Sequence, residues 1–168
     1  WKIATDTLFN NVVTTGTLWA KDLSDYTVKV DAEGLQPDMW YYYQFRALNT
    51  NSIVGRTRTM PQGTCDSLRF AILSGSNYNS GYFNAYRTLN NRNDFDGVVH
   101  LGDYIYEYGT NEYGDNPDRS LEPNNEVLSL SDYRMRYSHY RLDPDLRVLH
   151  QQYPWFTEWD DHETANNS

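Results

Sequence analysis

The stretch GVVHLGDYIYEYG, residues 97–109, decides the fold of this chain. It opens with an apolar run of the length of a buried strand and passes directly into Gly102 and Asp103. A similar run, LRFAIL at residues 68–73, lies upstream, and apolar and aromatic residues recur near helical spacing between the two runs, at residues 80–91. Together these segments predict a strand–helix–strand unit whose two strands are parallel.

The sequence downstream of this unit predicts a long loop and, later, a third strand. Residues 109–129 are polar, contain two prolines and show no periodicity. Such a stretch is typical of a surface loop that is either disordered or a lid. Residues 155–159, WFTEW, have the composition of a strand, and the polar cluster DDHE follows at residues 160–163.

Two helices are predicted between the loop and the third strand. Ser131 can cap a helix that runs through about His139, because its hydroxyl can accept a hydrogen bond from the first turn. Asp143 followed by Pro144 is typical of a helix start, and we expect this second helix to run toward Gln152.

Residues 1–60 contain short segments rich in β-branched and aromatic residues, which predict antiparallel strands. The segments are residues 2–4, 12–18, 26–31, 40–47 and 53–59. A pattern L-x-P-x-x-x-Y, from Leu35 to Tyr41, is common at the corners of fibronectin-type β-sandwiches. A complete sandwich has roughly seven strands. We therefore expect a sandwich that is incomplete at its N-terminus, followed by a turn-rich linker at residues 61–67.

Composition and charge exclude several classes of function. The 168-residue chain has a net charge of −9 at pH 7, all of it on residues 61–168, where 8 Lys+Arg stand against 17 Asp+Glu. This balance disfavours nucleic acid and anionic lipid as partners. No stretch approaches the roughly 18 apolar residues of a membrane helix, and the N-terminus lacks a signal-peptide pattern. The single cysteine, Cys65, excludes an internal disulfide and a thiolate metal cage.

Two strand ends carry concentrated polar residues, at 101–107 and 159–163. Because the carboxyl ends of parallel strands meet at one edge of a sheet, we expect Asp103 and Asp161 to approach each other although 58 positions separate them. A carboxylate that follows a glycine can bridge two cations. The pair formed by a second carboxylate and His162 can supply a further ligand and a proton donor. Such oxygen ligands suit Ca²⁺, Mg²⁺, Mn²⁺ or ferric iron.

Each of these residues also has a purely structural interpretation. An aspartate after a strand-ending glycine is usually a turn former or a helix cap, and Tyr106, between two other tyrosines, fits a core aromatic residue. The dipeptide His162–Glu163 does not extend to the zinc motif H-E-x-x-H, because the second histidine is missing. Structural roles are expected for His100, His139 and His150. Two roles are possible for each of Arg134, Arg136 and Arg141, namely phosphate binding and ion pairing with carboxylates.

Five motifs, in order along the chain, resemble the alkaline phosphatase D family of metallophosphoesterases. They are GYFNAYR (81–87), GVVHLGDYIYEYG (97–109), SDYRMRY (131–137), DPDLR (143–147) and WDDHE (159–163). In addition, GRTRTMP at residues 55–61 resembles the end of that family's N-terminal fibronectin-like domain. The resemblance therefore covers essentially the whole chain.

The resemblance implies a fold and an activity. The fold is α+β in two parts: an incomplete fibronectin-like β-sandwich at residues 1–60, the linker at 61–67, and the first half of an α/β metallophosphoesterase sandwich at 68–168. The activity is hydrolysis of small-molecule phosphomonoesters or phosphodiesters by an enzyme that uses a ferric ion and a calcium ion. Such an enzyme is secreted, periplasmic or bound at the cell surface.

The resemblance also implies roles for single residues. Asp103 matches the bridging carboxylate, Tyr106 the iron-binding tyrosine, and Asp161 a further metal-binding carboxylate. His162 matches the catalytic histidine. For Asp160 and Glu163 the resemblance implies supporting roles.

The chain departs from the family pattern in two respects. Gly75 stands where the family usually has a metal-binding cysteine, so we expect weaker ferric binding and a preference for divalent, oxygen-preferring ions. The family's catalytic domain continues beyond WDDHE, so we expect residues 1–168 to be an inactive part of a longer enzyme. The alternative hypothesis is an inactive fragment or degenerate homologue that acts as a binding module. Substrate preference and oligomeric state are left open.

Overall fold

The computed structural model describes residues 1–164 and divides into two compact units. The first unit comprises Trp1–Leu68 with Gln151–Tyr153, and the second comprises Arg69–His150 with the described residues from Pro154 onwards. The predicted linker falls at the end of the first unit's main segment. None of the helices in residues 1–164 is long and apolar enough to cross a membrane.

Six short strands form the β-structure of the first unit. They are β1 (Lys2–Ala4), β2 (Val12–Thr15), β3 (Trp40–Gln44), β4 (Arg46–Ala47), β5 (Thr50–Asn51) and β6 (Gly55–Arg58). Four of them make an antiparallel sheet in the order β2-β1-β3-β6, and β4 pairs with β5 in a hairpin. Ile3, Ala4 and Tyr41 are buried in this unit. Four of the five predicted segments therefore contain strands, in shortened form.

The strand predicted at residues 26–31 is wrong, because this segment contains no strand. The chain bends before it, where Asp25 and Tyr26 both adopt left-handed backbone conformations, with φ of 51° and 54°, after a 3₁₀ turn at Asp22–Ser24. Most side chains of the segment are exposed. β-Branched residues favour a strand only where cross-strand neighbours pack against them, and this segment has no such partner in the described chain.

Tyr41, the last residue of the corner pattern, is anchored to the backbone upstream of it. Its side chain is buried, and its hydroxyl accepts a hydrogen bond from the Gln36 N–H at 2.8 Å. A tyrosine that reaches back to the backbone a few residues upstream is typical of the corners of β-sandwiches. The contact fixes the entry of the chain into β3.

The second unit contains the predicted strand–helix–strand unit, which is confirmed. The elements of the second unit are β7 (Phe70–Leu73), α1 (Asn84–Arg92), β8 (Gly97–His100), α2 (Leu130–Tyr140), α3 (Pro144–Gln152) and β9 (Trp155–Thr157). The last two residues of α3 are assigned to the first unit. The three strands form a parallel sheet in the order β7-β8-β9. The carboxyl ends of β8 and β9 therefore lie side by side, as the sequence predicted.

This sheet has one buried face and one exposed face. Val98 and His100 are fully buried, whereas Phe70, Ile72 and Phe156 are 39%, 66% and 49% exposed. The strand register places Phe70 and Ile72 on one face, together with Phe156. Parallel sheets are usually covered on both faces, whereas the face that carries Phe70, Ile72 and Phe156 is partly exposed in the described part of the chain.

The caps of the two later helices differ in how well they were predicted. The Ser129 hydroxyl accepts from the Asp132 N–H at 3.2 Å, and the Asp132 carboxylate accepts from the Ser129 N–H at 2.9 Å. This reciprocal capping box starts α2 at Leu130, so Ser131 lies inside the helix and its predicted role as the cap is wrong. Asp143 caps α3 as predicted, by accepting two N–H groups from its first turn.

The loop at residues 109–129 is anchored by buried polar side chains from outside it. Asn79 donates to the Arg119 carbonyl at 2.8 Å and accepts from the Asn111 N–H at 3.0 Å. The Arg136 side chain donates to five backbone carbonyls, those of Tyr106, Tyr108, Glu122, Pro123 and Asn125. Arg136 therefore holds backbone, which is neither of the two roles considered for it from the sequence.

Candidate metal centre

The candidate metal centre lies where two loops meet at the carboxyl ends of β8 and β9. The loop after β8 carries Asp103, and the loop after β9 carries Asp161 and His162 at the start of a 3₁₀ turn, Asp161–Glu163. One ligand atom from each of the three residues lies within 4.8 Å of the others. The structure thus brings together both predicted metal-binding carboxylates and the predicted catalytic histidine.

The close approach of the two loops requires glycine at position 102. The φ of Gly102 is +94°, and a Cβ there would lie 2.4 Å from the Cβ of Asp160 and 2.5 Å from its backbone nitrogen. Asp103 follows with a φ of 52°, a left-handed conformation that few residues other than glycine adopt. This turn sets the direction in which the Asp103 carboxylate leaves the strand.

The two oxygens of Asp103 have different surroundings. Oδ2 accepts a hydrogen bond from the Tyr106 hydroxyl at 3.2 Å. Oδ1 is buried and has no hydrogen-bond partner among the described residues. A buried carboxylate oxygen without a partner is destabilising by about 1–3 kcal/mol or more, and a cation would relieve this penalty. Because carboxylates are hard oxygen ligands, the residues present fit a metal ion of the kind that prefers oxygen.

Tyr106 lies between Asp103 and His162. Besides the contact with Asp103, its ring packs against the imidazole of His162, with 4.2 Å between ring centroids. Burial, and after it the negative charge of Asp103, raises the pKa of the Tyr106 phenol above its ordinary value. A cation next to the hydroxyl would act in the opposite direction. The Tyr106 hydroxyl thus lies beside the Asp103 carboxylate, on the side of Oδ2.

Glu163 joins the two loops through its carboxylate. Oε1 accepts from the N–H groups of Tyr104 and Ile105 at 2.6 and 3.3 Å, and Oε2 accepts from those of Asp103 and Asp160 at 2.8–2.9 Å. The side chain is buried. Glu163 thus fixes the backbone on both sides of the site with four hydrogen bonds to a charged group.

Glu107 is a site residue that the sequence reasoning missed. Its Oε2 lies 2.8 Å from Nδ1 of His162, and both side chains are buried. A carboxylate on one imidazole nitrogen fixes the orientation of the ring and leaves the other nitrogen, Nε2, to face a ligand or a substrate. The available signal was a lone acidic residue within the aromatic run YIYEY.

With this geometry in place, the comparisons with known proteins identify the family. Residues 70–167 match the family model described as PhoD-like phosphatase. The chain belongs to this family. A second model, described as PhoD-like phosphatase, N-terminal domain, matches residues 1–61.

Two relatives define the extent of the similarity to PhoD-like phosphatases. Alkaline phosphatase D of Bacillus subtilis (strain 168) is 41% identical over an alignment of 170 positions, which covers 99% of this chain and 29% of that protein. A solved structure described as "Structure of PhoD" matches with a TM-score of 0.93 at 40% identity, and the match covers 99% of this chain and 32% of that one. The mixed α/β architecture is thereby confirmed. The chain spans about a third of the length of these relatives.

Gly75, where we expect PhoD-like phosphatases to have a cysteine, lies beside the candidate metal centre. Its N–H donates to the Gly102 carbonyl at 3.3 Å, and the next N–H, of Ser76, donates to the Asp103 carbonyl at 2.8 Å. A Cβ at position 75 would meet the Tyr106 hydroxyl at 3.6 Å and no other described atom within 4 Å. A side chain at this position would therefore point toward Tyr106, although the φ of +69° disfavours any residue but glycine.

The other histidines lie outside the cluster in the described chain. His100 is buried in β8, where burial lowers its pKa to about 4. His150 stacks on Trp155 with 3.8 Å between ring centroids, and burial lowers its pKa to about 2. His139 Nε2 contacts the Ser120 carbonyl. These contacts agree with the structural roles expected for the three residues.

Proposed function

We propose that the full-length protein is a metal-dependent hydrolase of small-molecule phosphoesters. The observation that carries the proposal is the convergence of Asp103, Asp161 and His162 around a buried Asp103 oxygen that has no hydrogen-bond partner among the described residues. Membership of the PhoD-like phosphatase family supports a phosphoesterase function. It does not favour the alternative hypothesis of a binding module.

In this proposal Asp103, Tyr106 and Asp161 hold the metal ions. Bound cations supply two things, polarisation of the phosphoryl group and a water whose pKa is lowered toward neutrality. We propose a ferric ion and a calcium ion, with iron held more weakly than in relatives because Gly75 offers no thiolate. Glu163 keeps the two loops at the distance that the ligands require, through its hydrogen bonds to the N–H groups of the Asp103 loop. Asp160 supports the other loop, because its carboxylate accepts from the Asp161 N–H at 3.0 Å.

His162 is the proposed catalytic residue. Its Nδ1 is held by Glu107, so Nε2 is the atom that exchanges a proton with the leaving oxygen of the ester. A positioned acid or base of this kind contributes about 10²- to 10⁴-fold in rate. The packing of Tyr106 against the imidazole restricts the ring further, which favours one orientation toward the substrate.

The finer assignments of domain and location are also part of the proposal. We place a fibronectin-like domain at residues 1–60, a linker at 61–67 and the first half of a metallophosphoesterase domain at 68–168. The Tyr41 corner supports the first of these. We propose that the enzyme acts outside the cytoplasm, secreted, periplasmic or at the cell surface. Residues 1–168 alone should be inactive, since a two-metal centre needs more ligands than the cluster offers.

The experiment that tests the proposal is metal-dependent turnover by the full-length protein. Release of the phenol from aryl phosphomonoesters and phosphodiesters should disappear after chelation and return on addition of iron and calcium. Asp103→Asn should abolish it, whereas Asp118→Asn, which changes an exposed carboxylate of the 109–129 loop, should not. Full activity of the chelated enzyme or of Asp103→Asn would refute the proposal. Residues 1–168, assayed in parallel, should release no phenol.

A further inference from the structure

A cavity of about 840 Å³ adjoins the candidate metal centre on the side of β7. Gly75 and Tyr106 line it, and both lie next to the Asp103 loop. Its outer wall is formed by Tyr82, before α1, and Tyr113, in the 109–129 loop. We call this space the tyrosine cavity. Of its lining residues, Tyr106 is also a proposed metal ligand, whereas Tyr82 and Tyr113 are not.

The tyrosine cavity presents flat aromatic surface near the proposed catalytic residue. The ring of Tyr113 lies nearly parallel to that of Tyr106, at an interplanar angle of 22° and 5.6 Å between centroids, and 6.2 Å from the imidazole of His162. Tyr113 and Tyr82 are 55% and 56% exposed. Large aromatic side chains left this open beside a candidate active site provide a surface on which another ring can stack.

Hydrogen bonds hold the part of the 109–129 loop that carries Tyr113 in place. The Tyr113 carbonyl accepts hydrogen bonds from the Asn77 amide and from the Ser80 hydroxyl. On either side of Tyr113 in the chain, two backbone N–H groups bind Asn79. The Asn111 N–H donates to the Asn79 side chain, and the Asn116 N–H donates to the Asn79 backbone carbonyl, both at 3.0 Å. A surface anchored by so many polar contacts loses little conformational entropy when a ligand binds.

The charges of the tyrosine cavity disfavour a second phosphate group. Among its described lining residues there is no lysine or arginine, and the acidic one is Glu112. The Glu112 carboxylate accepts the N–H of Gly109 at 2.8 Å, so it serves its own loop. The phosphoryl group therefore belongs at the metal centre, and an uncharged part of the substrate belongs in the cavity.

We propose that the tyrosine cavity receives the organic group of the phosphoester, and that it selects a flat, uncharged aromatic group which stacks on Tyr113 and Tyr82. This inference rests on the proposed phosphoesterase function. Its two reference points are the metal centre, which takes the phosphoryl group, and the aromatic wall, which takes the alcohol. The proposal assigns substrate selection to side chains that hold no metal.

The test compares esters whose alcohols differ in flatness but little in size or acidity. Benzyl phosphate and cyclohexylmethyl phosphate form such a pair, and phosphocholine is the cationic counterpart. For the full-length, metal-loaded enzyme we expect kcat/KM to be about 3- to 10-fold higher for the benzyl ester than for the cyclohexylmethyl ester, the range that aromatic stacking provides. The dissociation constants of benzylphosphonate and cyclohexylmethylphosphonate should differ in the same direction.

Variants assign the selectivity to the cavity wall. Tyr113→Leu and Tyr82→Leu keep apolar volume but lose the flat face, so each should bring the benzyl preference toward unity. Tyr26→Leu, at an exposed tyrosine of the first unit, should keep it. A loss of kcat/KM that is equal for both esters would mean that Tyr113 acts only through His162, and it would overturn the proposal. A preference for phosphocholine that Glu112→Gln abolishes would also overturn it.

Failure of this inference can be told apart from failure of the proposed function. An enzyme that hydrolyses both esters equally well would retain its function and lose the cavity assignment. An enzyme that hydrolyses neither of these esters nor the aryl monoesters and diesters would lose the proposed function. In that case the two phosphonates still test the cavity by calorimetry, because their binding requires no turnover. Equal affinities would then reject the aromatic selectivity, and a benzyl preference removed by Tyr113→Leu would support it.

Discussion

Glu163→Gln should loosen the candidate metal centre without removing any proposed metal ligand. The amide has nearly the same size as the carboxylate, but one of its two terminal atoms becomes an NH₂ group. In the wild-type protein, each carboxylate oxygen of Glu163 accepts hydrogen bonds from two backbone N–H groups. They are those of Tyr104 and Ile105 at Oε1 and those of Asp103 and Asp160 at Oε2. Whichever way the amide turns, two N–H groups, buried at Oε1 and partly buried at Oε2, face a donor and lose their acceptor.

The magnitude follows from these contacts. A buried group left without its partner costs about 1–3 kcal/mol. Two such groups, partly relieved by local movement, should lower the free energy of unfolding by about 2–4 kcal/mol. Because the same bonds hold Asp103 against the 160–163 turn, the ligands should separate. A supporting residue of this kind typically contributes 10- to 100-fold in metal affinity, and we expect a loss within that range.

The assay measures both quantities on the full-length protein. Urea unfolding gives the free energy of unfolding, and equilibrium dialysis against iron, calcium or manganese gives the metal affinity. Glu126→Gln, at an exposed carboxylate of the 109–129 loop, is the matched control and should change neither. If Glu163→Gln kept its metal affinity and lost less than about 0.5 kcal/mol of stability, an ordinary surface effect, the assignment of Glu163 as the link between the loops would be wrong.

Three further predictions concern single residues. Asp161→Ala should lower metal content and activity together, and added metal should partly restore both. His162→Ala should instead lower kcat by about 10²- to 10⁴-fold at normal metal content. Equal metal loss in both variants would make His162 a ligand. Gly75→Cys should improve iron retention, read from the metal content after dialysis, but its positive φ should lower thermal stability; unchanged iron content would contradict this. Burial lowers the pKa of His100 to about 4 and of His150 to about 2, while the unfolded histidines take up protons near pH 6.5. Stability in urea should therefore fall as the pH drops from about 6.5 toward 4, by up to about 1 kcal/mol per pH unit for each histidine, and His150→Phe should flatten this slope.

The convergence of Asp103 with Asp161 could be predicted because it depends only on topology. Two parallel strands that are neighbours in a sheet place their carboxyl ends together, whatever separates them in the chain. The parallel sheet itself followed from the apolar runs in β7 and β8. The cap of α3 followed from a local pattern. Features that are determined by a strand or by the start of a helix could therefore be predicted from the sequence.

Other features depend on neighbours that the sequence does not reveal. Residues 26–31 have strand composition, but no partner strand lies beside them in the described chain. Ser129 and Ser131 are both acceptable caps, and Asp132 decides between them because it returns a hydrogen bond to Ser129. Glu107 meets His162 across 55 positions through two irregular loops. No periodicity predicts a contact of that kind.

The site is built on irregular backbone, and three buried polar side chains take the place of a regular element there. Glu163 accepts from N–H groups, Arg136 donates to carbonyls, and Asn79 does both. Each satisfies several backbone groups that no strand or helix would satisfy, so the loss of one leaves a cluster of unpaired groups. The positions of Asp103, Tyr106 and Glu107 thus depend on this polar network as much as on the apolar core. Mutations in the network should therefore alter metal binding even where they touch no metal ligand.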